Sequence, residues 1–373
     1  MGGSWRGHRI TRQIVATAFA VLAALTVGCS EIPIRGLVET RTSFLGNASV
    51  NGQIAARVDG PIKVEIPPAP DPGPMVAVSV RPGQPGTRVG IVDVDGLILN
   101  QNLSGLYAVG ENPVSAFREK LQAAAADPSV RAVVVRINSP GGSVTASDIL
   151  AEELRRFRQE SGRPVVTCLM DLGTSGAYYL AVGGDRVVAH PTTITGGIGA
   201  LINHYNLEDA AAQFNARSGA VKSGEKVDLG SYAGPLPDDD AALLQEMVDG
   251  FRDRFRQRVA ACRKAMTPED FAAIEDGRVV PSQKALGLHM IDRIGYVHDA
   301  IAEAESLAGV HQAEVVIFQR KGYPTHSIYA ITPNPVDGGG LVPFSVPGLD
   351  RAKLPTFLYL WQPDPTLLGL GSR

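Results

Sequence analysis

Two glycine-marked turns carry the residues best suited to chemistry. The first is Asn138-Ser139-Pro140-Gly141-Gly142-Ser143, where a β-branched apolar run gives way to a helical pattern. Paired glycines let the backbone approach a ligand and aim N–H groups at it. The second is Gly173-Thr174-Ser175-Gly176-Ala177, again between strand and helix signals. A serine at a helix start, flanked by glycines, can meet a substrate with the positive end of the helix dipole behind it. The two turns together can build a nucleophile, Ser175, and an oxyanion hole from the N–H groups of Gly142 and Gly176. Each such donor typically lowers a barrier by a few kcal/mol. The plain alternative is that Ser175 only caps a helix, as most serines in that position do. Ser139, Ser143 and Thr174 offer the same hydroxyl chemistry.

Those turns need strands and helices to hold them. Val89 to Val94 reads as an apolar strand, and Arg131 to Asn138 as a nearly continuous buried one. Between them Val114, Phe117, Leu121 and Ala125 share a helical face. Ile149, Leu150, Leu154 and Phe157 mark the next helix, with Gly162 as its C-cap. Pro164 to Met170 and Arg186 to Ala189 are further strands. This βαβ alternation predicts an α/β fold on a parallel sheet with right-handed crossovers. Arg136 is a charge inside a strand, and Asp148 is a candidate partner for it. A long amphipathic helix follows, with Leu244, Val248, Phe251, Phe255, Val259 and Cys262 at spacings of three and four. Asp238-Asp239-Asp240 favours its N-terminal dipole. Thr267-Pro268-Glu269-Asp270 starts another helix, and Ala300 to Leu307 is a last one.

The whole chain sets limits. Net charge is -3 and 44% of residues are hydrophobic, so a large core is available. No run of like charge suggests nucleic acid as a partner. Arg6, Arg9 and Arg12 precede an apolar run from Ile14 to Val27, shorter than the roughly 20 residues of a spanning helix. This pattern reads as a secretory signal. Gly28-Cys29-Ser30 resembles a bacterial lipobox, with Cys29 as the lipidated residue; a plain signal peptide or an uncleaved anchor is the alternative. Residues 30 to 88 are rich in Pro and Gly and read as a linker with a short strand pair. The expected layout is therefore 1–29 signal or anchor, 30–88 linker, 89–310 catalytic domain and 311–373 C-terminal extension. The remaining cysteines, Cys168 and Cys262, read as two buried thiols. No cysteine or histidine spacing suggests a metal site, and no cofactor is expected.

The strings RINSPGGSVTASDIL, GTSGAYYLAVGGDRVVAHPTTITGGIGA, KSGEKVDLGS and EDGRVVPSQKALGLHMIDRIG resemble, in that order, the signal peptide peptidase A family. The resemblance covers roughly residues 89 to 320. It implies the Clp protease/crotonase-like fold, with a single catalytic unit per chain. It implies a serine peptidase acting on remnant signal peptides and other hydrophobic stretches at a membrane of the bacterial cell envelope. It also implies a homo-oligomeric ring in which subunits complete one another's sites. Ser175 matches the nucleophile and Gly142 and Gly176 match oxyanion positions.

The family's base is a lysine, which accepts the serine proton only when neutral, so its pKa must fall on burial. Here the sequence departs from the pattern: Lys222-Ser223-Gly224-Glu225-Lys226-Val227-Asp228 puts Val227 at the expected position and Lys226 one place early. Lys226 is a base only if a local irregularity corrects that slip; otherwise it is a solvated loop lysine beside Glu225 or Asp228. His190, at a strand end, and Lys222 are the other candidate bases. A catalytically impaired, peptide-binding scaffold is the alternative to a peptidase. A crotonase-type enzyme acting on acyl-CoA is disfavoured by the export signal.

Overall fold

The computed structural model describes residues 73–101, 111–217, 219–321, 328 and 357–361. Cys29 and the expected signal or anchor lie outside them. The elements are β1 (Met75–Arg81), β2 (Gln84–Asp95), α1 (Pro113–Ala126), β3 (Val130–Ser139), β4 (Gly141–Ser143) and α2 (Val144–Ser161). Then come β5 (Val165–Thr174), α3 (Gly176–Ala181), β6 (Arg186–Ala189), β7 (Ile194–Gly196), α4 (Glu208–Gln213) and α5 (Asp238–Cys262). The last are α6 (Pro268–Ala272), β8 (Val279–Pro281), α7 (Ser282–Gly287), β9 (Arg293–Ile294), α8 (Val297–Leu307), β10 (Ala313–Arg320) and β11 (Leu358–Leu360).

The main sheet runs β10-β2-β3-β5-β6-β9 with every one of these neighbours parallel. β1 adds an antiparallel edge beside β10, and β7 pairs parallel with the end of β5 and antiparallel with β8. Alternation along β3 explains the layering. Val133, Val135 and Ile137 face the layer that holds α1, α2, α3 and α5. Ala132 and Val134 face the other side, against α8. All five are fully buried, and burying each valine or isoleucine stabilises the fold by roughly 1.5–3 kcal/mol. Both faces of the sheet are covered, which is why its strands read as continuous apolar runs.

The sheet extends past both expected domain boundaries. β1 and the first residues of β2 fall in the stretch read as linker, and β10 falls in the stretch read as C-terminal extension. β10 lies between β1 and β2, pairing Val78 with Ile317 on one side and Ile91 with Ile317 on the other.

Helix ends follow their capping residues. Asn112 accepts from Val114 N and Ser115 N at the start of α1. Gly162 closes α2 at φ 64°, and Thr267 and Asp270 form a reciprocal capping box on α6. In α1 the buried residue near the end is Ala124 rather than Ala125, and Lys120 is buried with it. Cys168 is buried in β5, where desolvation pushes its thiol up to about 12. Cys262, expected to be buried, is exposed at the end of α5. Arg136 pairs with Asp93 (Nη2–Oδ1 2.7 Å), its register neighbour on β2, both side chains being almost fully buried. Asp148, the expected partner, instead accepts from Tyr179 Oη at 2.6 Å and pairs with Arg254. No helix among the described residues is long and apolar enough to cross a membrane.

Candidate active site

Ser175 sits between β5 and α3, as the residue preceding the first turn of that helix. Its backbone adopts φ 53° and ψ −118°, a left-handed conformation that non-glycine residues rarely take. Such a conformation costs of order 1–3 kcal/mol and persists only where surrounding structure enforces it. Here Ser175 N–H donates to Gly196 O at 2.7 Å, locking the turn onto β7. The side chain makes no capping hydrogen bond, so Ser175 does not act as a helix cap. The residue is 1% exposed. Its neighbour Thr174 is buried with a hydroxyl that has no partner among the described residues.

The close-packed glycines explain the turn's composition. A Cβ on Gly176 would stand 2.2 Å from Ser147 Oγ, and one on Gly142 would stand 2.0 Å from Ile98 O. Gly142 admits no other residue without backbone movement, and Gly176 none unless the Ser147 side chain moves. Gly176 opens α3, so its N–H has no intrahelical acceptor.

β4 brings Gly142 to the same place. Ile98 N–H donates to Gly141 O and Ser143 N–H donates to Ile98 O, both at 2.9 Å, so these bonds tie one edge of β4. The other edge pairs antiparallel with β11, Tyr359 opposite Gly142. Val144 N–H donates to Phe357 O (3.3 Å) and Trp361 N–H to Pro140 O (2.9 Å). Alternation along an antiparallel ladder then makes Gly142–Tyr359 a hydrogen-bonding pair, with Gly142 N–H directed at Tyr359 O. The same carbonyl oxygen approaches Gly176: Cβ atoms built on Gly141 and Gly176 would lie 2.1 and 3.1 Å from it, and the former 2.8 Å from Gly176 N. Gly142 and Gly176 are thus brought to one carbonyl position beside Ser175. A polarised carbonyl held there can be attacked by a serine hydroxyl and its oxyanion stabilised.

The candidate bases are placed elsewhere. Lys226 is exposed, and its ammonium is held by the carboxylates of Asp239 and Asp240 at the start of α5. The hydrogen bond to Asp239, then that to Asp240, raises its pKa, the reverse of what a neutral base needs. Val227 is exposed as well. Lys222 pairs with Asp228 at 2.8 Å. His190 Nδ1 lies 2.9 Å from Thr192 Oγ1, and its ring packs edge-on against Tyr296 with centroids 4.6 Å apart. The described residues of one chain therefore unite Ser175, Gly142 and Gly176, and leave Lys226, Lys222 and His190 engaged with other partners. What sequence reasoning missed is β11. Its apolar letters are visible in the sequence, but three residues carry no periodicity that would assign them a partner strand.

Residues 157–311 match peptidase family S49. This segment contains Ser175, Gly176 and Lys226 and begins after Gly142. The chain is 28% identical over 291 residues to Protease 4 of Salmonella typhi, covering 78% of this chain and 44% of that protein. It is 26% identical over 241 residues to an Enterococcus faecium protein described as a signal peptide peptidase, covering 65% of this chain and 70% of that one. It is 27% identical over 234 residues to the chloroplastic serine protease SPPA of Arabidopsis thaliana, covering 62% and 33%. The chain thus spans less than half the length of two of these three relatives. With a mostly parallel α/β sheet and this order of motifs, the chain is similar to signal peptide peptidase A and to the serine peptidases of family S49.

Proposed function

We propose that this chain is a serine endopeptidase that cleaves hydrophobic peptides, remnant signal peptides among them, through an acyl-enzyme on Ser175. The observation that carries this reading is the meeting of the Gly142 and Gly176 amides at one backbone carbonyl beside Ser175. Ser175 Oγ adds to the peptide carbonyl carbon and its proton passes to a base. The oxyanion is held by Gly142 and Gly176, and the C–N bond breaks with the proton returned to the leaving amine. Water then hydrolyses the ester.

The base is Lys226, supplied by a neighbouring copy in a homo-oligomeric ring. Its exposure supports a role across a subunit boundary, and leaving Asp239 and Asp240 for an apolar neighbouring site would lower its pKa. The N-terminal segment, through Cys29 or as an uncleaved anchor, holds the chain at a membrane of the bacterial cell envelope, with the catalytic domain outside the cytoplasm. The ion pairing of Lys226 favours a second reading, a peptide-binding scaffold that has lost turnover.

Mixing decides between them. Full-length Ser175→Ala and Lys226→Ala chains are each expected to be inactive on a hydrophobic fluorogenic peptide. Co-assembled, they should recover activity, because some sites combine an intact serine with an intact lysine from the next copy. Activity in Lys226→Ala alone would reject that base. A parent chain no faster than Ser175→Ala would establish the scaffold.

A further inference from the structure

Two features disfavour the conformation of the Ser175 turn. Ser175 holds φ 53°, and the Thr174 hydroxyl before it is fully buried with no partner among the described residues. A strained backbone persists only where its surroundings over-determine it, and a buried hydroxyl without a partner adds to the cost. The turn therefore relaxes unless its neighbours hold it, and the neighbours that hold it can be traced.

They form a closed circuit. Ser175 N–H donates to Gly196 O at 2.7 Å. Gly196, at φ 96°, lies against the Met290 side chain: a Cβ built on it would stand 3.3 Å from Met290 Cε. The carbonyl of the same Met290 accepts from Tyr178 Oη at 2.9 Å. Tyr178 lies in α3, which Ser175 precedes, and Tyr179 N–H donates to Ser175 O at 2.9 Å. The circuit thus closes on the nucleophile. Tyr178 and Met290 are both fully buried. Met290 is itself anchored, because its N–H donates to Ala285 O at 2.9 Å. Arg263 fixes the residue before it, donating from Nε (3.0 Å) and Nη2 (2.8 Å) to His289 O. One residue far from the turn in sequence therefore grips it from the β7 side and from the α3 side.

We propose that Tyr178 is a positioning residue, whose hydroxyl bond to Met290 holds Ser175, through Gly196, in the conformation that attacks. Tyr178 touches no reacting atom. Without its hydroxyl, Met290 O loses its donor and α3 is no longer tied to the residues that support β7. Ser175 is then free to relax to negative φ, which carries Oγ away from the carbonyl position marked by the Gly142 and Gly176 amides. Misplacing a reacting group by about 1 Å can slow a reaction on the order of 10²-fold. This inference rests on Ser175 being the nucleophile, yet one half of its test needs no turnover.

The test compares full-length Tyr178→Phe with Thr167→Val. Thr167 is equally buried, and its Oγ1 donates to Ala181 O at 2.9 Å, at the far end of the same helix. Each variant thus deletes a buried hydroxyl that anchors α3. On a hydrophobic fluorogenic peptide, Tyr178→Phe should lower kcat about tenfold or more with KM held within about twofold. Thr167→Val should leave both constants within about twofold. Melting supplies the second readout. Relaxation of Ser175 offsets part of what Tyr178→Phe loses, whereas a Ser175→Gly chain has no strain to release. Tyr178→Phe should therefore lower the melting temperature of Ser175→Gly by about 2 °C more than that of the parent, while Thr167→Val lowers both equally. Equal drops from Tyr178→Phe in the two backgrounds overturn the inference, and so does an equal loss of kcat in Thr167→Val. If Tyr178→Phe fails to fold, Met290→Leu, which displaces the Cε contact with Gly196, takes its place in both measurements. A parent chain without turnover would sink the peptidase reading, and the melting comparison would still decide this one. Parental kcat in a folded Tyr178→Phe chain would do the reverse, leaving the peptidase and removing the positioning role.

Discussion

The Ser175 turn and the Lys226 segment are both short polar stretches flanked by glycine, yet they differ in everything that surrounds them. Ser175 is 1% exposed, strained, and tied to β7 through its N–H bond to Gly196 O. The Lys226 side chain is 41% exposed and is held by carboxylates of an adjacent helix start. One region is complete within a chain, while the other presents its charge outward. The contrast teaches that two neighbouring sheets can bring the Ser175 turn together with the Gly142 and Gly176 amides within one chain, whereas Lys226 could serve as the proposed base only after a change in its surroundings.

The sharpest break in that contrast is at Ser175 itself. Ser175→Ala should lower kcat by roughly 10³-fold or more. Ser175→Gly should be equally inactive but more stable, recovering about 1–3 kcal/mol of backbone strain. A Ser175→Gly chain that melts no higher than Ser175→Ala would show that the turn stores no strain.

Next in size is Gly142→Ala. Its Cβ would meet Ile98 O at 2.0 Å, so β4 must shift and the donor with it. Single-turnover acylation should slow by about 10²–10³-fold. A parental rate would mean that β4 does not face the substrate.

The Lys226 side of the comparison predicts a smaller effect with a definite sign. Asp239→Asn with Asp240→Asn removes the partners that keep Lys226 protonated. The rising limb of kcat/KM should move to lower pH, increasing activity near neutrality. A pH profile unmoved by the double variant would exclude Lys226, in this pairing, as the group that titrates.

Smallest is a control outside both regions. Glu152 on α2 is held at about 2, chiefly by its hydrogen bond to Arg155 and then that to Arg156. Since the folded value lies below the unfolded one, what this group adds to stability is present above its ordinary value of 4.5 and lost as pH falls toward 2. The pair is exposed, so Glu152→Gln should leave turnover unchanged and the melting temperature at neutral pH within about 1 °C. A larger drop would mark α2 as a determinant of the site.

How much of this was legible follows from range. The strands around Arg131–Asn138 and Pro164–Met170 declare themselves by β-branched runs, and α2 by its apolar stripe and Gly162. The Ser175 turn declares itself by flanking glycines, although nothing local indicates φ 53° rather than an ordinary cap. Long-range pairings stayed hidden. Arg136 finds Asp93 because β2 and β3 align in one register, a relation between residues 43 positions apart. Likewise β10 enters the sheet from a stretch whose Gly- and Pro-rich continuation suggested a tail. Lys226 is ambiguous for another reason, since a one-residue slip in a loop leaves no mark on composition.

The position of β10 has a consequence for how the molecule comes to be. β1 and β2 are consecutive in the chain but not neighbours in the sheet, because β10 lies between them. During synthesis the Ser175 turn emerges well before residue 313, so its strands can pair while the slot for β10 is still empty. A nascent or clipped chain ending before that residue would carry the nucleophile turn and also an open edge along β2, where another chain could add. Closing the slot requires a contact more than 200 residues apart, a slow event by topology alone. β10, the last strand of the main sheet to be made, is therefore the one that covers the edge of β2.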